Sequence, residues 1–227
     1  MTMLPEPALE RFPALSQIDF ISHGFTGRIP GVDTAVEREE AIRRLEPAFT
    51  RARVLLSSAS NPAREEKAFL TAEQVHGASV AVVNSRSASP VPSADGLITA
   101  DIGVTLGIYV ADCCAIFLAD PRRKIIGLLH SGRKGTESGI VMNAIRLMRA
   151  EFGCEPEHLI VQLSPCIRPP HYEVDIAGEI TRQCQSMGVR EIHDCGICTA
   201  THRDRYYSYR AERGKTGRML ALLAMAD

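Results

Sequence analysis

Three residues of types that bind transition metals lie at the ends of short predicted strands. His76 follows one apolar segment, Cys113 stands between two others, and His130 ends the next. Two imidazoles and one thiolate are donors that Zn²⁺ prefers, and three protein ligands leave the fourth tetrahedral position open for chemistry. The intervals of 37 and 17 residues are those of neither a zinc finger nor a zinc ribbon. On spacing alone, a core with two hydrogen-bonded histidines and one buried cysteine is the more common arrangement.

The turn after His130 combines glycines with basic residues at the start of a predicted helix. Gly132 and Gly135 allow the backbone to approach a ligand closely, and Arg133 and Lys134 add positive charge. Free N–H groups in the first turn of a helix bind anions such as phosphate. The same composition is also typical of a solvated basic turn, so the segment alone leaves both interpretations open.

The elements that must hold these residues follow from the hydrophobic pattern. Short apolar segments predict strands at residues 18–23, 67–74, 79–84, 104–110, 114–119, 125–130 and 159–163. Amphipathic spacing predicts helices at residues 35–45, 138–152, 174–187 and 217–225, with Gly153 and Gly188 ending the second and third. Strands and helices are mixed without regular alternation, which predicts one α/β (mixed α+β) domain over residues 17–227. Residues 1–16 are expected to be a loosely held N-terminal arm.

Charge and composition exclude several classes of protein. The formal net charge is −1, and there is no Lys/Arg-rich block of the kind that binds nucleic acid or membrane surfaces. The N-terminal segment is acidic where a signal peptide needs a basic start, and the most apolar stretch, 103–119, is too short to span a bilayer. Seven cysteines, an odd number, favour free thiols. We therefore expect a soluble cytoplasmic protein that binds neither nucleic acid nor a membrane.

Several motifs occur together in an order that is typical of one family. They are QVHG at 74–77, ADGLIT at 94–99, ADCCAIFLADP at 111–121, HSGRKG at 130–135, SPCI at 164–167 and YSYRAERGKTGR at 207–218. In this set and order the chain resembles the YfiH-like, laccase-domain family, whose members are also known as purine nucleoside phosphorylases or polyphenol oxidases. The resemblance extends over nearly the whole chain, so it is far more specific than any single motif.

The resemblance implies a fold, a cofactor and an activity. The fold is a single-domain layered sandwich of mixed β-sheets flanked by helices, related to a cysteine-hydrolase-like toxin domain. One zinc ion per chain binds to His76, Cys113 and His130, with copper as an adventitious replacement. The activity is phosphorolysis of adenosine, inosine or methylthioadenosine, often with adenosine deamination in the same cavity. The partners are thus a nucleoside and phosphate, and the protein is a monomer or a small homo-oligomer.

Particular residues carry this expectation. Cys113 and His130 are the expected catalytic residues. The expected substrate or phosphate contacts are Arg28, Gln74, Gly132, Arg133 and Lys134.

Departures from the family pattern affect the substrate side more than the metal ligands. The usual HAGWRG is HSGRKG here, so Arg133 stands in place of tryptophan, and Ala115 stands where proline is common. Two alternatives therefore stay open. One is a metal-free hydrolase with Cys113 as nucleophile and His130 as its base. The other is a peptidoglycan-precursor editing factor without nucleoside turnover.

Overall fold

The computed structural model describes residues 7–60 and 66–225, and these residues form two β-sheets and five α-helices. The strands are β1 (Leu9–Glu10), β2 (Ile21–Thr26), β3 (Ala68–Thr71), β4 (Val80–Val82), β5 (Gly96–Thr99), β6 (Val104–Val110), β7 (Cys114–Asp120), β8 (Ile125–Ser131), β9 (Ile160–Leu163), β10 (Glu191–Asp194) and β11 (Met219–Met225). The helices are α1 (Pro13–Ser16), α2 (Arg38–Ser60), α3 (Arg133–Glu137), α4 (Ile140–Phe152) and α5 (Ile176–Ser186).

Both sheets contain parallel and antiparallel pairs. The five-stranded sheet has the order β1-β2-β11-β6-β3, in which β11 is antiparallel to both neighbours and β3 is parallel to β6. The six-stranded sheet has the order β10-β9-β7-β8-β5-β4, with the β7–β8 hairpin at its centre. Asp120 closes that hairpin, because its Oδ1 accepts the backbone N–H groups of Arg122 and Arg123.

The two sheets pack face to face, and helices cover their outer faces. Leu106 and Ile108 of the five-stranded sheet share one buried core with Phe117 and Leu128 of the six-stranded sheet. Helix α2 packs on β2 and β11, while α4 packs on β8 and against α5. Burial of apolar side chains on both faces of each sheet contributes ~25 cal/mol per Å² removed from water. The predicted fold, a layered sandwich of mixed sheets flanked by helices, is therefore confirmed.

The segment 217–225 is not the predicted helix, and its residues Met219–Met225 form a strand. Its residues are good helix formers, but β11 lies between β2 and β6 at the centre of the five-stranded sheet, with every residue buried. A continuous apolar run is compatible with a helix or with a strand that is buried on both faces. Pairing with the two neighbouring strands therefore outweighs the helix propensity of these residues.

Helix α2 continues beyond the predicted end at residue 45. Pro47 lies inside the helix, where it removes one backbone hydrogen bond. The helix continues because Leu45, Phe49, Ala52 and Leu56 lie on one face and are fully buried. Burial of this face outweighs the cost of the proline.

The N-terminal residues 9–16 are packed on the domain and are not a loose arm. β1 pairs with β2 in antiparallel register, and Leu15 of α1 is fully buried. Phe12 is 5% exposed and its ring stacks on His23. Residues 1–6 of the expected arm lie outside the described residues.

The described helices include none that is long and apolar enough to cross a bilayer.

Candidate metal centre

The three predicted ligands meet where the chain crosses from one sheet to the other. His76 follows β3, Cys113 lies in the link between β6 and β7, and His130 is the penultimate residue of β8. Their donor nitrogen and sulfur atoms all lie within 4.8 Å of one another. Bonds of ~2.0–2.3 Å to one tetrahedral ion bring donors to within roughly 4 Å of one another, which is close to this spacing. Among residues 7–60 and 66–225, this is the one such group of His, Cys, Asp or Glu donors.

His76 lies on a loop whose backbone is strained and held from two sides. Gln74 and His76 both have φ of 63°, a region that non-glycine residues rarely occupy. The Gln74 side-chain amide donates to the carbonyl of Tyr109 at 2.6 Å and accepts from its N–H at 3.0 Å. The carboxylate of Asp95 accepts the N–H groups of His76 at 2.9 Å and Gly77 at 2.7 Å. A strained backbone that several hydrogen bonds hold in place is typical of functional sites.

His130 is buried and oriented by the same carboxylate. Its Nδ1 lies 2.9 Å from Asp95 Oδ1, and its backbone N–H donates to the Asp95 carbonyl at 2.7 Å. An ionised carboxylate only accepts, so Nδ1 carries the proton and Nε2 is left to bind a ligand. The prediction from sequence gives Asp95 no role, and its place in the ADGLIT motif is the signal that points to it.

Cys113 has room for its sulfur because the facing residue is glycine. A Cβ at Gly132 would lie 2.8 Å from Cys113 Sγ, a distance that real Cβ atoms do not show. The neighbouring Cys114 is fully buried in β7, and its Sγ lies 3.9 Å from the Ser164 carbonyl. Cys113 is therefore the thiol that faces the two histidines. A borderline-soft divalent ion suits this site, which offers two imidazoles, one thiolate and the space beside Gly132.

The metal-free protein holds Cys113 and His130 as an ion pair. Burial acts to raise the pKa of Cys113, but the charge of His130 and hydrogen bonds from both histidines outweigh it and lower the pKa to about 6. Burial acts to lower the pKa of His130, and the charge of Cys113 and the Asp95 hydrogen bond outweigh it and raise the pKa to about 9. A thiolate is the form in which cysteine binds a metal or attacks an electrophile.

A cavity of about 770 Å³ opens beside the three donors. Protein cavities of ~300–1,000 Å³ hold small organic ligands. Exposed apolar surface faces it from Val75 and Tyr209, which are 53% exposed each. Two carboxylate residues, Glu37 and Asp112, line the cavity. Its five cationic residues are Arg38, Arg133, Lys134, Arg210 and Arg218.

The chain also matches the model of a known protein family over most of its length. The family model described as "Multi-copper polyphenol oxidoreductase laccase" matches residues 46–184 and 174–226. The chain belongs to this laccase-domain, YfiH-like family.

Relatives in the laccase-domain family have been named for a different activity. A purine nucleoside phosphorylase of Streptomyces coelicolor is 32% identical over 230 residues, covering 86% of this chain and 92% of the relative. A purine nucleoside phosphorylase of Deinococcus radiodurans is 32% identical over 238 residues, covering 90% and 89%.

Solved structures share the fold. The crystal structure of YlmD from Geobacillus stearothermophilus covers 100% of this chain and 98% of its own, with a TM-score of 0.81 and 22% identity. The crystal structure of YfiH from Bacillus licheniformis covers 90% and 92%, with a TM-score of 0.77 and 19% identity.

Four of the predicted substrate contacts of this laccase-domain protein line the cavity, but their polar groups differ in availability. The Gln74 amide is engaged by the Tyr109 backbone, and Gly132 makes room for Cys113. The guanidinium of Arg133 pairs with Glu137 at 2.8 Å and with Glu173 at 3.6 Å. Lys134 has no carboxylate within ion-pair distance among the described residues. Lys134 is thus the most available cation of the predicted set.

Arg28, the fifth predicted contact, does not line this cavity. Its Nη2 donates to Glu212 Oε1 at 2.9 Å and to the Tyr206 carbonyl at 3.0 Å, and its guanidinium lies 4.4 Å from the centroid of the Tyr207 ring. These contacts give Arg28 a structural role in joining the end of β2 to the segment before β11. The prediction that it contacts phosphate is therefore not supported by its position.

Asp112 lines the cavity, but its carboxylate holds two loops together. Oδ1 accepts from the Thr199 hydroxyl at 2.7 Å, and Oδ2 accepts from the Arg210 N–H at 2.7 Å. The structure therefore supports a role for Asp112 in loop attachment rather than a direct hydrogen bond to a metal ligand.

Proposed function

We propose that this chain is a zinc-dependent purine nucleoside phosphorylase that cleaves adenosine, inosine and methylthioadenosine, with adenosine deamination in the same cavity. The main support is the position of His76, Cys113 and His130 in the wall of a cationic cavity of about 770 Å³. A cavity of this size accommodates a nucleoside together with phosphate. Two relatives at 32% identity carry the name purine nucleoside phosphorylase, which supports the same activity here.

The proposed metal is one zinc ion per chain, bound by the two imidazoles and the thiolate. The donor set suits zinc, and Gly132 leaves the sulfur accessible. A divalent ion at this position supplies Lewis acidity at its open coordination site. Copper binds such donors more strongly than zinc, so it is expected as an adventitious replacement.

The chemistry sets distinct tasks for the chain. In phosphorolysis a phosphate oxygen forms a bond to C1′ of the sugar while the C1′–N9 bond breaks, and the purine leaves with the electron pair and takes up a proton. The cationic wall, including Lys134, would bind the phosphate. In deamination, water adds at C6 of the purine and ammonia leaves. Cys113 and His130 are the proposed catalytic residues, since they hold the metal at the cavity wall.

The test is a nucleoside panel with and without phosphate, run on protein of measured metal content. We expect free base and ribose 1-phosphate to appear only when phosphate is present. Adenosine alone is expected to give inosine and ammonia. A fully zinc-loaded protein that converts none of these nucleosides would contradict the proposal and favour the editing role.

One observation favours a second candidate, the metal-free Cys/His hydrolase. The pKa of Cys113 near 6 and that of His130 near 9 make a thiolate–imidazolium pair, which is also the resting form of a cysteine nucleophile. Alkylation by iodoacetamide separates the two, because a zinc-bound thiolate is shielded. Rapid alkylation of Cys113 in protein as purified, with hydrolase activity that survives a chelator, would favour the hydrolase.

We also propose that the protein acts in the cytoplasm. All seven cysteines are free thiols in the structure, which is typical of a reducing compartment. Measurement of free thiols in protein extracted under alkylating conditions tests this, and disulfide-linked cysteines in the extract would contradict it.

A further inference from the structure

Arg218 is a buried arginine with incomplete hydrogen bonding at the cavity. It is 8% exposed and lines the cavity wall. Its Nη1 donates to the carbonyls of Thr216 at 2.8 Å and Gly217 at 2.9 Å. Its Nε and Nη2 have no hydrogen-bond partner among the described residues, yet neither is sealed from solvent. These two N–H-bearing atoms therefore open on the cavity.

A second arginine lies close to Arg218 with no strong partner of its own. Arg38, the first residue of α2, lines the same cavity, and its nearest carboxylate is Glu39 at 3.6 Å. Burial lowers the pKa of Arg218, and the charge of Arg38 lowers it further. Two guanidinium groups at one wall repel each other unless an anion lies between them.

The carboxylates that line the cavity make no ion pair with either arginine. The two oxygens of Asp112 are engaged by Thr199 and Arg210. Glu37 is exposed and lies 3.9 Å from Lys215. No carboxylate lies within ion-pair distance of Arg218 in the part of the chain that the structure describes.

We infer that Arg218, together with Arg38, forms an oxyanion site that takes a phosphate group beside the metal centre. The planar guanidinium donates two parallel N–H groups, which match two phosphate oxygens. The anion is either inorganic phosphate or the phosphoryl group of a nucleotide. Its role as a co-substrate rests on the proposed function, whereas its binding does not.

Direct binding of inorganic phosphate to the zinc-loaded protein tests the site without turnover. Calorimetry at low ionic strength should show affinity for phosphate falling roughly 10- to 100-fold in Arg218→Gln, the range expected for lost charge-assisted hydrogen bonds. Arg218→Lys keeps the positive charge but not the two parallel N–H groups, so its phosphate affinity should fall less. Arg190→Gln is the control, since Arg190 is paired with Glu157 and does not line the cavity. Its phosphate affinity should be little changed.

Two further arms complete the experiment. If Arg218→Gln does not fold, as judged by its thermal transition, Arg38→Gln serves instead, since that side chain is partly exposed. Its phosphate affinity is expected to fall roughly fivefold.

Adenosine 5′-monophosphate separates the two sources of phosphate. An inorganic-phosphate site binds phosphate and adenosine together, whereas a nucleotide site binds the monophosphate much more tightly than adenosine and excludes phosphate when it is bound.

Either source supports the inference, provided that binding depends on Arg218. Phosphate affinity that is unchanged in the folded Arg218 variants, or that falls as much in Arg190→Gln, would overturn it. If the wild-type protein binds phosphate through Arg218 but turns over no nucleoside, only the proposed function is overturned.

Discussion

Asp95, the residue before β5, lies beside His130 of β8, with Asp95 Oδ1 2.9 Å from His130 Nδ1. The same carboxylate accepts the backbone N–H groups of His76 and Gly77. One buried side chain thus sets the ring orientation of one proposed ligand and the backbone position of another. Burial acts to raise the pKa of Asp95, and the hydrogen bonds from His130 and Gly77 outweigh it and lower the pKa. The carboxylate therefore stays ionised at neutral pH.

Asp95→Asn is expected to weaken zinc binding about 10- to 100-fold, the usual effect of removing a carboxylate that orients a histidine ligand. Asparagine has nearly the same size but presents only one acceptor atom to three N–H donors. Competition with a chromogenic chelator measures the affinity, and the thermal transition reports whether the fold is kept.

Asp101→Asn is the matched control for this prediction. Asp101 lies just beyond β5 and accepts the N–H of Ser85. Its substitution should leave zinc affinity unchanged. Equal affinities in wild type and a folded Asp95→Asn variant would show that Asp95 does not position the ligands.

Cys113→Ala is expected to yield protein without zinc, and Cys114→Ala is expected to keep nearly one zinc per chain. The two thiols are adjacent in sequence, but Cys113 faces the histidines and Cys114 is packed in the core between the six-stranded sheet and its helices. Metal analysis of the purified variants checks this. Similar metal loss in both variants would mean that the wrong thiol is assigned or that the pair acts together.

The ligands could be found from sequence because their motifs are local. Each predicted donor lies next to a strand whose apolar pattern is clear, and β6, β7 and β8 were predicted to within one residue. The residues that hold the donors were not found, because the contact between Asp95 and His130 joins positions 35 apart in sequence. No local pattern reports such a contact.

Other errors have equally specific causes. β11 was predicted as a helix, since residues such as Leu220 and Ala221 favour either structure and only pairing with two strands decides. Arg28 is a predicted phosphate contact, but it does not line the cavity. Its Nη2 is instead bonded to Glu212, a carboxylate 184 residues away.

Lys134→Ala is expected to raise the KM for phosphate in phosphorolysis while changing deamination much less, because deamination consumes water. A cation in contact with phosphate contributes about 1.5–3 kcal/mol, so KM should rise roughly 10-fold or more. Steady-state rates at varied phosphate concentration measure this. Parallel losses of both activities would indicate a role in nucleoside binding or in the fold.

Arg28→Ala is the comparison variant for phosphate. It removes an ion pair with Glu212 and a stacking contact with Tyr207, so the free energy of unfolding should fall by about 1–3 kcal/mol. Its KM for phosphate should not change. A selective rise in that KM would restore Arg28 as a phosphate contact.

In the metal-free protein, Cys113 and His130 should contribute opposite and nearly cancelling dependences of stability on pH. The folded pKa of Cys113 is lowered from 9.0 to about 6, so its contribution is present above 9 and is lost as pH falls through 6. The folded pKa of His130 is raised from 6.5 to about 9, so its contribution is present below 6.5 and is lost as pH rises through 9. Between about pH 6.5 and pH 9 one contribution grows as the other falls, so the pair adds a nearly constant stability.

Thermal transitions of chelator-treated protein across pH 6–10 check this balance. In Cys113→Ser the cysteine contribution is absent, so the contribution of His130, which is still paired with Asp95, should make stability fall as pH rises above 6.5. A wild-type stability that falls with pH as steeply as that of Cys113→Ser would contradict the ion pair.

Copper reconstitution is expected to give no more than one copper per chain, without an intense blue band. A blue-copper centre coupled to a three-copper cluster needs roughly ten histidines beside a cysteine, and this chain has seven. Five of the seven lie away from the metal centre. Among these, His23 accepts the N–H of Phe12 in the core, and His193 lies 3.1 Å from Glu191 at an exposed strand.

The family description as a multicopper laccase therefore does not fit the donors of this chain. A single copper bound at His76, Cys113 and His130 would support only slow oxidation of phenols, because the described residues offer no second group of three donors to share the electrons. Metal counting, visible absorption and phenol turnover on the copper-loaded protein test this together. Four coppers per chain with rapid phenol oxidation would contradict the single-metal assignment. Binding of four coppers would require histidines that are far apart in the structure to come together.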